Sequence, residues 1–279
     1  MTQAFTKVEG LSNDFVLLDA RRAPVPMDPA RAVALCDRHR GIGADGVLLL
    51  GPSKQAAARL EIWNADGSRA EMCGNGLRCS ALLLLGELKV SELTIETAAG
   101  LHRCRLATPS ASGSGAGSAG DVWVELVGLQ VGQPETLEVL GPRGVPISLS
   151  GRKVNVGNPH FVLFGGADTN RAAQLGPAIE QHRAFGPQRT NVEFCELPAA
   201  GPSSAALRVR VWERGAGLTL ACGTGAAAAA AAAWVDGHLP RERTLVELPG
   251  GMVSIDPVSE TSVGLTGAAR VVFRGQVEL

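Results

Sequence analysis

Residues 62–77 read Ile62-Trp63-Asn64-Ala65-Asp66-Gly67-Ser68-Arg69-Ala70-Glu71-Met72-Cys73-Gly74-Asn75-Gly76-Leu77, and residues 211–226 repeat that frame as Val211-Trp212-Glu213 running to Cys222-Gly223-Thr224-Gly225-Ala226. The tryptophan-to-cysteine separation is ten residues in both copies. A weaker match upstream sets Asn13-Asp14-Phe15-Val16-Leu17 beside Pro159-His160-Phe161-Val162-Leu163, at a similar distance ahead of each tryptophan. A period of half the chain is far too long for a solenoid, so the repeat predicts two like domains facing each other.

Within each half, Phe15 to Asp19, Arg59 to Trp63, Val122 to Val127 and Leu207 to Trp212 read as short strands, several with period-two alternation. A helix is expected directly after each Cys-Gly-X-Gly. The first, Leu77 to Leu85, is apolar nearly throughout, as a helix buried on most sides requires. The second carries eight alanines, Ala226 to Ala233, and has almost no girth. The Ser/Gly/Ala stretch from Pro109 to Gly120 cannot bury enough apolar surface to offset its ordering entropy, and reads as a flexible loop near a domain boundary. The run from Pro198 to Ser204 reads as a hairpin tip.

With 279 residues and 45% hydrophobic content, the chain can bury a real core and favours two domains over one. A net charge of −1, with basic side chains scattered, gives no field that would collect nucleic acid, so a small-molecule partner is expected. The opening Met1-Thr2-Gln3-Ala4-Phe5-Thr6-Lys7 has no cationic lead into a long apolar run, and no apolar stretch approaches a bilayer span. A cytoplasmic chain without a membrane partner is the expectation. Six irregularly spaced cysteines do not resemble a disulfide framework, so reduced thiols are expected.

The first N–H groups of a helix lack internal partners and sit at the positive end of its dipole, so a carboxylate can dock there without a charged side chain. Glycines at 74, 76, 223 and 225 would let a ligand approach closely. A cysteine at such a start has its thiolate favoured. Two starts, one per domain, would put a sulfur on each side of one amino acid, which is the arrangement of a two-base epimerase. A lone cysteine beside a tight turn is commonly a small buried hydrophobe; its recurrence at matching places in an internal repeat argues for chemistry. Cys36, Cys79, Cys104 and Cys195 lack that context and are assigned to the core. No metal is expected, because Cys73 and Cys79 have no second pair. No cofactor is expected either: Lys7, Lys54, Lys89 and Lys153 lie in no motif for a pyridoxal Schiff base.

The chain resembles the diaminopimelate epimerase family over nearly its whole length. The likeness is carried by residues 10–15 (GLSNDF), 38–46 (RHRGIGADG), 64–68 (NADGS), 73–76 (CGNG), 157–160 (GNPH), 190–192 (TNV) and 213–217 (ERGAG) through Cys222-Gly223-Thr224-Gly225. The resemblance implies an α/β (α+β) fold of two pseudo-symmetric domains, each a curved, mostly antiparallel sheet wrapped around a central helix, with the active site in the cleft between them. The expected halves are 1–120, with the tail 266–279 returning to it, and 121–265. The activity implied is cofactor-independent interconversion of LL- and meso-diaminopimelate, a step of lysine and cell-wall precursor biosynthesis. A homodimer is left open.

By matching position, the resemblance implies that Cys73 and Cys222 are the acid and base, and that His160 and Glu213 help move protons to and from the thiols. The backbone at Gly74, Asn75, Gly223 and Thr224 would bind the reacting α-carboxylate. Asn13, Asn64, Asn158, Asn191 and Arg214 would grip the rest of the substrate, with Arg214 forking onto the distal carboxylate. Read without the family, the asparagines could serve turns, and Glu213-Arg214 could be a solvated pair. Trp63 and Trp212 read as core. Gly46 and Leu218 depart from the family, some of whose members carry Gln and many Glu there. Two rivals stay open. A proline or hydroxyproline racemase would usually show Cys-Gly-His where this chain has Cys73-Gly74-Asn75, and a non-catalytic amino-acid-binding protein would have no need of paired cysteines.

Overall fold

The computed structural model describes residues 2–109, 119–198 and 206–278. Residues 110–118 and 199–205, the bulk of the two stretches read as loops, lie outside the described residues; Pro109 and Ala119–Gly120 belong to strands. Two compact units emerge, residues 1–127 with 266–279, and residues 128–265.

The first unit contains β1 (Thr2–Gly10), β2 (Asn13–Asp19), α1 (Pro29–Cys36), β3 (Gly46–Gly51), β4 (Ala58–Asn64), β5 (Arg69–Ala70), α2 (Gly74–Leu88), β6 (Glu92–Thr97), β7 (Gly100–Pro109) and β8 (Ala119–Val127). Strand β2 runs antiparallel to β1 and parallel to β3; β4 is antiparallel to β3 and parallel to β6, and β6, β7 and β8 follow as a meander. The division falls at the end of β8, a strand that carries Gly120 within it.

The second unit contains β9 (Leu129–Leu140), β10 (Pro146–Val156), β11 (Pro159–Phe164), α3 (Thr169–Glu180), β12 (Asn191–Glu196), β13 (Leu207–Glu213), β14 (Gly217–Thr219), α4 (Gly223–Val235), β15 (Thr244–Leu248) and β16 (Gly251–Pro257). Its pairings repeat those of the first unit: β10 antiparallel to β11, β11 parallel to β12, β12 antiparallel to β13, and β13 parallel to β15. The units differ in closure. Strand β10 finds its outer partner in β9, from its own half, whereas β1 takes β17 (Ser262–Glu278), pairing Thr2 with Glu278 through Glu9 with Arg270.

In each unit one helix is ringed by strands. Helix α2 packs against β1, β2, β3, β4, β6, β7 and β8, and α4 against β9, β10, β11, β12, β13, β15 and β16. A helix enclosed on all sides must be apolar all round. In α4 the demand is met by Ala226 to Ala233, every one buried, which combines the best helix former with the smallest side chain that strands on all sides leave room for. The outer helices α1 and α3 start on Asp28 and Asp168, whose carboxylates accept the N–H groups of Arg31 and Arg171. In α3, Gly176 lets the helix lie on Trp212, since a Cβ there would sit 2.4 Å from the ring. Trp63 is buried, but Trp212, expected in the core, is half-buried, and its indole N–H reaches the Glu180 carboxylate at 2.7 Å. No helix among the described residues is long and apolar enough to cross a membrane.

Candidate active site

Each proposed catalytic cysteine is the N-cap of its unit's enclosed helix. Cys73, in extended backbone (φ −145°, ψ 109°), precedes α2, and its Sγ accepts the N–H of Gly76 at 3.4 Å. Cys222 (φ −120°, ψ 108°) precedes α4, and its Sγ accepts the N–H of Gly225 at 3.3 Å. A thiol thus stands where Ser or Asp normally caps a helix, against free N–H groups. The glycine three residues on has a different reason in each unit. A Cβ at Gly76 would meet a Leu48 methyl at 2.7 Å, and one at Gly225 would meet Glu193 Oε1 at 2.8 Å.

In the first unit, strand polarity brings Asn13, the first residue of β2, to the same sheet end as Asn64, the last of β4, which pairs with Gly46. Asn13 accepts from the Asn75 amide at 3.1 Å and donates to Asp45 at 2.7 Å. Behind them Arg38 and Lys7 converge on Asp14; burial opposes its charge, but their hydrogen bonds and charges outweigh that and hold the carboxyl at about 2. Asn64 is not joined to this cluster through its amide, which donates to Ser68 Oγ at 2.9 Å across a turn closed by Gly67 (φ +83°). A side chain at Gly46 would meet the Trp63 carbonyl 2.6 Å from its Cβ, so the strand pairing leaves no room for one.

In the second unit, parallel pairing sets His160 beside Asn191, and β13 ends with Glu213 at that same end of the sheet. His160 is enclosed, with Nδ1 2.7 Å from Glu193 Oε1 and Nε2 2.8 Å from Asn158 Oδ1. The Asn158 amide lies 3.3 Å from Thr224 Oγ1, and that hydroxyl 3.4 Å from Cys222 Sγ. Glu213 accepts from Thr219 Oγ1 at 2.5 Å. Asn191 bridges the Pro159 carbonyl and the Arg214 N–H, and the Arg214 guanidinium rests on the Gln188 carbonyl at 2.9 Å. Leu218, the second departure from the family, is an exposed residue of β14.

At Cys222 the helix start is not enough to favour the thiolate. Burial, reinforced by the carboxylates of Glu213 and Glu193, drives this thiol well up, and the Thr224 hydroxyl and Gly225 N–H offset only part of that. The other four cysteines are buried, and burial pushes Cys36 to about 11 and Cys79 to about 12.

Two charged residues around the helix starts escape sequence reasoning. Glu193 is fully enclosed, with its Oε2 lacking a hydrogen-bond partner among the described residues. Arg78, also fully enclosed, donates to Asn75 Oδ1 at 3.0 Å, and its Nε has no partner; burial pulls its guanidinium down, against Cys79, Cys73, Asp121 and Glu9. The available signals were slight: Glu193 follows the Thr190-Asn191-Val192 segment, and Arg78 is a lone cation in an apolar helix.

The diaminopimelate epimerase family model matches residues 5–116 and 152–272. A diaminopimelate epimerase of Sphingopyxis alaskensis is 42% identical over 283 residues, covering 100% of this chain and 98% of the relative. One of a Picosynechococcus species is 41% identical over 302 residues, covering 100% of both. Among solved structures, a hydroxyproline epimerase from Agrobacterium vitis superposes with a TM-score of 0.71 at 18% identity, covering 100% of this chain and 93% of that one. A predicted epimerase from Pseudomonas aeruginosa gives 0.71 at 16% identity, covering 99% of each. These structural likenesses speak for the fold, and the sequence relatives speak for the family. The chain belongs to the diaminopimelate epimerase family.

Proposed function

We propose that this chain, an epimerase acting on diaminopimelate, interconverts the LL and meso forms by proton transfer between two thiols, Cys73 and Cys222. The observation that supports the reading most is the pair of cysteines capping the two enclosed helices, each sulfur accepting the N–H three residues on. The α-carboxylate docks on the N–H groups of Gly74, Asn75, Gly223 and Thr224. Fixed dipoles there stabilise the carbanion-like state without reorganising at the moment of reaction. One sulfur removes the α-proton from one face, and the other delivers a proton to the opposite face, inverting the carbon.

Cys222, whose surroundings favour its protonated form, is the acid in one direction of the reaction and the base in the other, with Cys73 as its converse. His160 and Glu213 return protons to Cys222 between turnovers. Arg214, steadied through Asn191 and Gln188, takes the distal carboxylate, with Asn13, Asn64 and Asn158 along the rest of the substrate. The test is incubation with LL-diaminopimelate in deuterated water. Deuterium at the α-carbon together with appearance of the meso form is expected; binding without exchange would leave only an amino-acid-binding protein.

A further inference from the structure

The contacts running from Glu193 to Cys222 can be satisfied in two directions. In one, His160 carries protons on both ring nitrogens: Nδ1–H donates to Glu193, Nε2–H donates to Asn158 Oδ1, the Asn158 N–H donates to Thr224 Oγ1, and the Thr224 O–H donates to a Cys222 thiolate. In the other, the Asn158 amide is turned over, which exchanges its oxygen and nitrogen in the same places. The Cys222 S–H then donates to Thr224, the Thr224 O–H to the amide oxygen, and the amide N–H to a bare Nε2. Both arrangements keep every contact from Nδ1 to Sγ matched donor to acceptor, with Glu193 Oε2 unpaired among the described residues in each. They differ by one proton, which leaves Sγ in the first and is absent from Nε2 in the second, so the total is unchanged.

Glu193 is what both directions have in common. Its carboxylate only accepts, so Nδ1 must carry a proton in either state, and Nε2 alone is free to change. Enclosure makes this binding: neither Glu193 nor His160 reaches solvent, and a mismatched donor there costs its full desolvation. The charged or titratable groups facing this centre are His160 on β11, Glu193 and Cys195 on β12, Glu213 at the end of β13, and Cys222 before α4.

We infer that Cys222 and His160 share one proton through Asn158 and Thr224, and that Glu193 is the positioning residue that fixes the imidazole tautomer for this exchange. The inference rests on the reading of Cys222 as an acid and base. It assigns to Glu193 a role opposite to that of a simple negative neighbour. A bare carboxylate near sulfur would only suppress the thiolate, whereas a carboxylate that stabilises the imidazolium lets the thiolate form.

The test follows the ultraviolet absorbance of the Cys222 thiolate against pH in a Cys73→Ala background, with Cys73→Ala/Cys222→Ala as the blank. Glu193→Gln keeps the shape and withdraws the charge, so about tenfold less thiolate at a given pH is expected. Thr224→Val, which cuts the link to sulfur, should abolish that difference. More thiolate in Glu193→Gln, or an unchanged titration, overturns the inference. Should Glu193→Gln fail to fold, Thr224→Val carries the test through the ring-nitrogen resonances of His160. These should follow the Cys222 titration in the parent and lose that dependence in the variant; dependence retained overturns it. Turnover is read separately. A Cys222→Ala enzyme that still epimerises removes the two-thiol reading itself, whereas an inert Cys222→Ala beside an unmoved Glu193→Gln titration removes only the shared proton.

Discussion

Replacing Gly225 by Ala tests how firmly Glu193 is held. The new Cβ falls 2.8 Å from Glu193 Oε1, and ordinary contact begins at 3.4 Å, so the carboxylate must yield about 0.6 Å, the difference between the two. Moving it strains the contact that compensates its enclosed charge, since Oε1 is held by His160 at 2.7 Å and Oε2 lacks a partner among the described residues. A displacement of that size stretches the bond to roughly 3.3 Å at most, the long end of the hydrogen-bonding range, and weakening the bond of a charged acceptor in the interior costs about 1–3 kcal/mol. The helical gain of Ala over Gly, at most about 1 kcal/mol, offsets part of this. The net expectation is a loss of about 1–2 kcal/mol, a fall in Tm of roughly 2–8 °C. Thermal unfolding of the parent, Gly225→Ala, Glu193→Ala and the double variant forms the cycle, and the penalty should disappear once Glu193 is shortened. Gly76→Ala, where the obstacle is a Leu48 methyl, is the control whose penalty should not depend on residue 193. A Gly225→Ala protein as stable as the parent, or a penalty that persists in the Glu193→Ala background, would refute the reasoning.

Cys73→Ala and Cys222→Ala should each abolish epimerisation with the unfolding transition retained, and full conversion by either variant in a chiral assay would contradict the two-thiol reading. Arg214→Met should raise KM for diaminopimelate about ten- to a hundredfold, the worth of a charge-assisted hydrogen bond, with a smaller effect on kcat; unchanged steady-state kinetics would place distal recognition elsewhere. Asp14, held at about 2 in the fold against about 3.9 unfolded, contributes stability that is complete above the unfolded value and lost as pH falls from about 4 towards 2. Asp14→Asn should therefore flatten stability over that window in acid titrations followed by circular dichroism. Iodoacetamide near neutral pH should label partly exposed Cys73 well ahead of the buried Cys36, Cys79, Cys104 and Cys195, with peptide mapping as the check.

What the sequence made legible, and what it hid, divides along physical lines. The ten-residue interval from Trp63 to Cys73 and from Trp212 to Cys222 carries a strand, a tight turn and a helix start, each with local signals, so the two capped helices could be read directly. The alanine run announced an enclosed helix because eight strong helix formers without a polar atom suit burial on every side. Glu193 was hidden because alternation fails in a strand covered on both faces: β12 buries Asn191, Val192, Glu193, Phe194 and Cys195 one after another. Nothing local distinguishes a carboxylate paired with a histidine thirty-three positions away. Arg78 was hidden in a helix buried on all sides, and among the described residues its hydrogen bonds reach Gly74 and Asn75 alone. Family likeness supplied only the return of the tail to the first half; its pairing with β1 is seen in the structure, since the tail itself carries no mark of its partner.

That pairing orders events during synthesis. The second partner of β1, after β2, lies beyond residue 265, so every residue of the second unit leaves the ribosome before the first can close its sheet. Folding from the N-terminal half first therefore cannot complete the first unit's sheet until β17 has emerged. The half built on β9 and β10 holds all its strands while β1 still presents an unpaired edge, the kind of surface that invites a foreign strand. A nascent chain stalled short of β17 would thus leave that edge of β1 open, so an early strand depends for its cover on a late one.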